Sequence, residues 1–201
     1  MIEYKGRRVG FHHMEFRQSG DLLLVDVHAE ILVKIGFITF MDMRYEAKEV
    51  WQDGVLQKIE TRTKVKDRFR RLMARHEGNG IYFKGTKFEG IKPLTSLPSS
   101  YWNPAILQQD ELINTQHGKP FTIAPEYLGV SELDLPDGKT DVLGFSFNGK
   151  LEGNLFYTRT GEWVGAAFGK NRDAYYVLVN ADEIPPRDEW RLAPDDLEET
   201  P

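Results

Sequence analysis

Between Leu23 and Ile35 every second residue is apolar: Leu23, Val25, Val27, Ala29, Ile31, Val33 and Ile35. Asp26, His28, Glu30 and Lys34 fall between them. A period of two sustained this far is that of a β-strand with one face buried; on a helix the same apolar residues would be scattered around the circumference. At ~3.3 Å per residue the strand would be roughly 40 Å long, a length that suits a curved sheet or barrel.

The surrounding chain repeats the pattern in shorter pieces. Gly6–Phe16 reads as a strand and Gln18–Asp21 as a turn. Gly36 marks a bend, and Phe40–Trp51 alternates again, with Met41, Met43, Tyr45, Ala47 and Trp51 on one side. Gln52-Asp53-Gly54 is a hairpin signal, because Asp-Gly supplies the positive φ that a tight turn needs. Val55–Val65, Phe69–His76 and Ile81–Phe83 continue as a meander. Further strands are predicted over 120–124, 127–135, 141–147, 151–157, 163–168 and 175–179, with turns at Pro136-Asp137-Gly138, Asn148-Gly149, Thr160-Gly161 and 171–173.

One stretch departs from this rhythm. Leu97-Pro98-Ser99-Ser100-Tyr101-Trp102-Asn103-Pro104 has little strand character. Pro104 favours a helix start with Asn103 as its N-cap, giving one short helix of about two turns. The expected fold is therefore mostly β: a long curved antiparallel sheet, half-open or closed like a barrel, with one short helix and a proline-aromatic loop. A single domain is expected over residues 1–181. The remainder, 182–201, holds eight acidic residues against Arg187 and Arg191 and four prolines, and reads as a loose tail from which Trp190 and Leu192 could dock back or bind a partner.

Composition narrows the chemistry. The chain has no cysteine, which excludes disulfides, thiolate nucleophiles and Cys-ligated zinc. The net charge is −5, so no global field draws the chain to nucleic acid, and none is expected as a partner. No apolar run approaches the ~20 residues of a transmembrane helix, and none resembles a signal peptide. His12 and His13 would point to opposite faces of a strand, and no H-x-H or H-E-x-x-H spacing exists, so no metal is expected. Ser99 and Ser100 lack a G-x-S-x-G elbow, and no phosphate-binding glycine motif occurs, so no catalytic residue and no cofactor is assigned.

Two features favour binding. The aromatic loop could lie over a sheet face, either as a plug or as the gate of a ligand site, which makes Met43, Tyr45, Ser99, Ser100, Tyr101, Trp102, Asn103, Gln116 and Trp163 the candidate ligand-binding residues. Lys64, Lys66, Arg68, Arg70, Arg71 and Arg75 crowd one hairpin with Phe69 among them, a pattern suited to lipid headgroups or an acidic partner. The leading reading is a non-enzymatic binding or carrier module for an apolar, amphipathic or lipid-like ligand. The next is an interaction module using hairpin 64–75 or the acidic tail. The last is a hydrolase-like enzyme on an envelope metabolite, built from Ser99, Ser100, Asn103, Arg44, Glu46 and His117. The sequence does not fix the oligomeric state.

The loop 97–104, followed by Asn114-Thr115-Gln116-His117-Gly118, resembles a bacterial family known as domain of unknown function 6134. Arg44-Tyr45-Glu46 with Glu49–Gly54 resembles its second strand pair, and Leu155-Phe156-Tyr157 with Gly161–Gly165 its closing hairpin. The resemblance spans roughly residues 4–180 and implies a curved, mainly antiparallel β architecture. It also implies a periplasmic or envelope setting, against a cytoplasmic one if the N-terminus is native. The family is in turn distantly similar to the half-barrels of lipoprotein carriers, which hold acyl chains. It implies no catalytic residue.

Overall fold

The computed structural model describes residues 1–149, 152–169, 171 and 173–193. Leu151, expected to open a strand, Arg172, expected in a turn, and the tail beyond Ala193 lie outside the described residues. The chain is mostly β. Its strands are β1 (Ile2–Tyr4), β2 (Arg7–Ser19), β3 (Leu22–Ile35), β4 (Ile38–Gln52), β5 (Val55–Val65), β6 (Arg68–Glu77), β7 (Gly80–Gly85), β8 (Phe88–Pro93), β9 (Leu97–Pro98), β10 (Glu111–Ile113), β11 (Pro120–Leu135), β12 (Gly138–Gly149), β13 (Gly153–Tyr157), β14 (Trp163–Phe168) and β15 (Ala174–Val177). Two compact units share them. The first contains Met1–Phe11, Leu97–Ile113 and Pro120–Arg187; the second contains His12–Ser96, Asn114–Lys119 and the chain from Asp188.

In the second unit the hydrogen-bonded order is β8-β7-β6-β5-β4-β3-β2, and in the first it is β2-β1-β15-β14-β13-β12-β11-β10-β9. Neither order returns to its starting strand, so the closed-barrel alternative is not the one adopted. The pairings are antiparallel apart from the short β9–β10 contact. The expected short helix is a 3-10 helix, Pro104–Gln108, and Asn103 caps it by accepting the Ala105 N–H. Two further 3-10 turns, Ala181–Glu183 and Arg187–Glu189, follow β15. No helix among the described residues is long and apolar enough to cross a membrane.

Alternation sorts the second unit into two faces. Val25, Val27 and Ala29 of β3 lie beside Ala47 of β4, then Ile59, Thr61 and Thr63 of β5, then Leu72 and Ala74 of β6, all buried. The loop 114–119 lies on this apolar face. Thr115 C=O accepts a hydrogen bond from Thr61 Oγ1 at 2.6 Å, and His117 C=O accepts from the Lys87 N–H at 2.9 Å. The opposite face carries Asp26, His28, Glu30, Asp42, Arg44, Glu46 and Arg62.

The tight turns follow from local chemistry. Asp53 and Gly54 both have positive φ, 50° and 77°, which is what a two-residue hairpin turn of this hand requires. Gly85 is constrained differently. A Cβ there would lie 2.5 Å from the His117 carbonyl oxygen, so glycine is what lets the loop backbone reach β7.

Candidate functional site

The nine candidate ligand residues divide between the units: Ser99, Ser100, Tyr101, Trp102, Asn103 and Trp163 in the first, and Met43, Tyr45 and Gln116 in the second. In the first unit the proline-aromatic loop is packed against other aromatic side chains. Tyr101 lies 5.8 Å from Trp163 and 5.4 Å from Phe168, ring centre to ring centre, and Tyr176 closes the cluster at 5.8 and 5.4 Å from the same two rings. The Tyr157 hydroxyl donates to Tyr101 C=O at 2.7 Å. Burial raises the pKa of the Tyr101, Tyr157 and Tyr176 hydroxyls, that of Tyr176 to about 12. The Ser99 N–H donates to Ile113 C=O, Ser100 is buried, and its carbonyl accepts the Asn103 N–H. Trp102 is half-buried. Asn103 is occupied as the helix cap.

In the second unit Gln116 bridges two strands. Its Oε1 accepts from Arg70 Nη1 at 3.1 Å, and its Nε2 lies 4.0 Å from Met43 Sδ. Tyr45 is half-buried on the same strand face as Met43. Of the residues weighed for an enzyme, Glu46 and His117 of the second unit lie on opposite faces of its sheet. His117 sits in the loop on the apolar face, whereas Glu46 projects from the polar face, paired with Arg62 at 2.8 Å. Burial, with Lys87, Arg70 and Lys119 around it, lowers the His117 pKa.

Two groupings in the second unit go beyond the sequence reading, which named the basic hairpin and a docking Trp190 without their neighbours. The first is the β3–β4 hairpin end. Phe37 is 108% exposed, Ile38 72% and Phe40 57%. A register shift pairs Val33 with Met41 but Lys34 with Thr39, leaving Phe40 as the extra residue of a bulge. The last β4–β5 pair is Met43 with Val65, so Ile38–Asp42 reach roughly 16 Å past it along the strand. The neighbouring β5–β6 turn is basic: Lys66 and Arg68 are exposed, and Lys64 lies over the Phe69 ring at 5.1 Å. Lys34 and Lys87 are exposed at the same end of the meander. The legible signal was Phe-Ile-x-Phe directly after the turn glycine.

The second grouping lies on the polar face, where residues 190–193 are seated. Trp190 stacks on His28 with centroids 4.7 Å apart and planes 11° from parallel, and its other neighbour is His13 at 5.1 Å. Arg191 donates both its backbone N–H and its Nε to the Glu30 carboxylate, the latter at 2.8 Å, and its Nη1 to Asp42 at 3.1 Å. Ala193 is buried and its N–H bonds to Glu46. His28 in turn lies 3.2 Å from Glu30 and 3.6 Å from Glu46. Burial alone would raise the Glu46 pKa, but His28, Arg62 and the Ala193 N–H together carry it below the ordinary value. Burial also opposes the charge of Arg191, yet Glu30 and Asp42 raise its pKa overall. On the other side of β2, burial above all holds His12 neutral with a pKa of about 3. The partners of this segment lie some 150 residues away in sequence, which is why spacing alone did not reveal them.

Among the described residues no group of three or more His, Asp or Glu side chains is arranged to hold a metal ion. No curated protein and no solved structure matches the chain. A family model matches residues 1–179, and the chain belongs to that family, Domain of unknown function (DUF6134).

Proposed function

We propose that the protein is a non-enzymatic binding module that engages amphipathic lipid at an anionic surface, through the hairpin end of its second unit. The observation that supports this is the fully exposed Phe37, with Ile38 and Phe40 beside it, flanked by Lys34, Lys64, Lys66 and Arg68. Exposed apolar side chains at a projecting tip gain free energy only when something apolar covers them. The basic rim selects an anionic covering, at about 1 kcal/mol per cation near an anionic leaflet. The periplasmic or envelope setting implied by the family resemblance would supply such a surface. The packed aromatic loop of the first unit favours the plug reading of residues 97–104, which moves the lipid-contact role away from that loop.

Vesicle flotation tests the proposal. The chain is expected to float with phosphatidylcholine–phosphatidylglycerol vesicles and not with pure phosphatidylcholine. Phe37→Ser with Ile38→Ser should abolish flotation at low salt, and Lys66→Glu with Arg68→Glu should do so at physiological salt. All four positions are exposed, so thermal stability should not change. Binding that ignores vesicle charge, or that survives both pairs of substitutions, overturns the proposal.

A further inference from the structure

The geometry points to a second binding site: we propose that the polar face of β2–β5 is a recognition groove for an aromatic–arginine peptide segment, filled in cis by the chain's own Trp190-Arg191. This rests on different residues from the lipid-facing tip and stands independently of it.

Three strands touch one occupant, and β5 supports them through Arg62. β2 and β3 supply the two imidazoles, His13 and His28, that flank the indole. β3 and β4 supply Glu30 and Asp42, which divide the guanidinium donors between them. The contact is more than side-chain packing. Glu30 accepts the Arg191 backbone N–H, and Glu46 accepts that of Ala193, so the groove reads an extended main chain two residues apart as well as the side chains. Main-chain bonds with pockets for particular side chains are the elements of peptide recognition. A planar guanidinium held by carboxylates is specific for arginine over lysine.

The groove is also prepared for its occupant. His28 is held between Glu30 and Glu46, and Glu46 is held by Arg62, so the ring that receives the indole is fixed by groups outside the segment. The segment before the seated residues is exposed along Arg187–Glu189 and joined by a short 3-10 turn. A tethered ligand of this kind competes at an effective concentration in the millimolar range. An untethered peptide should therefore bind weakly to the intact chain, and much more tightly once the cis residues no longer fill the groove.

The experiment uses full-length chain carrying Trp190→Ala and Arg191→Ala, and a fluorescein-labelled peptide with the sequence of residues 187–193. Anisotropy should show the double variant binding the peptide at least tenfold more tightly than the unsubstituted chain. Replacing Trp by Ala or Arg by Lys in the peptide should weaken it about tenfold or more, and so should Glu30→Gln added to the double variant. The variant's own tail carries no ligand, so exchange of tails between copies does not contribute. If the double variant folds, by its circular dichroism and melting profile, and does not bind the peptide, the proposal is overturned. Should it fail to fold, the unsubstituted chain is titrated with unlabelled peptide to several millimolar. Progressive shifts of the His13 and His28 ring proton resonances then support the groove, and unchanged resonances overturn it.

Discussion

Thr61 and Thr63 occupy the same buried face of β5, two residues apart and almost equally inaccessible, at 3% and 2% exposure. Their hydroxyls differ. Thr61 Oγ1 donates to Thr115 C=O at 2.6 Å and accepts the Leu72 N–H at 3.1 Å. Thr63 Oγ1 has no hydrogen-bond partner among the described residues. Valine matches threonine in shape, so Thr→Val removes the hydroxyl and little else. At Thr61 the substitution takes one partner each from the Thr115 carbonyl and the Leu72 N–H in the interior. With ~1–3 kcal/mol for a buried group left unsatisfied, and some compensation through sheet bonding at Leu72, the expected cost is about 2–4 kcal/mol. At Thr63 the hydroxyl is buried for no return, and Thr63→Val should be neutral or stabilise by up to ~1 kcal/mol. Urea denaturation of the two variants, at unchanged m-value, measures the contrast directly. Near-equal midpoints for the two would refute the assignment of the Thr61 hydroxyl as the fastening between β5 and the loop 114–119.

Gly85→Ala should destabilise by about 1–3 kcal/mol or more, because its Cβ would meet the His117 carbonyl oxygen at 2.5 Å and the Gly118 Cα at 2.9 Å, both backbone; thermal denaturation reads the loss. Glu46→Gln tests the polar face by pH. The native pKa of Glu46 lies below its ordinary value of 4.5, so its charge stabilises the fold above that pH and the contribution disappears as pH falls toward the native pKa. The stability gap between wild type and Glu46→Gln should therefore be full at pH 7 and close on the acid side of 4.5. Ultraviolet titration should find Tyr101, Tyr157 and Tyr176 resisting ionisation in the native chain, and all eight tyrosines titrating together in denaturant.

Local chemistry made much of the fold legible. The alternation of Leu23–Ile35 corresponds to β3, the Asp53-Gly54 turn to the β4–β5 hairpin, and the Asn103–Pro104 pair to a capped helix start. The errors have physical causes. The predicted helix tightened to a 3-10 turn because five residues close too few α-helical bonds to favour that geometry. Residues 120–135 read as two strands because Pro125 interrupts the pattern, yet they form one long strand with a register shift between Tyr127 and Gly129. β8 escaped notice because Gly90 and Lys92 mask its alternation.

The groove was invisible for another reason. His28 and Glu30 look like ordinary residues of a solvated strand face until a segment some 160 residues later covers them. A pattern of period two says which face a side chain is on, and nothing about what lies over that face. For the candidate ligand residues, sequence located the unusual loop, while its packing depended on Trp163, Phe168 and Tyr176, which come from two other strands.

The pairing of β1 with β15 has a consequence for biosynthesis. Ile2 stands beside Tyr176, so the first unit is stitched from both ends of its sequence. A ribosome adding about 5–20 residues per second leaves β1 without that partner for roughly 10–30 s. The meander β3–β8, whose neighbours are all consecutive, can zip up in the meantime. An emerging chain would thus carry an organised meander and a β1 paired with β2 on one edge only, and that interval is when a chaperone that shields strand edges would matter most to its yield.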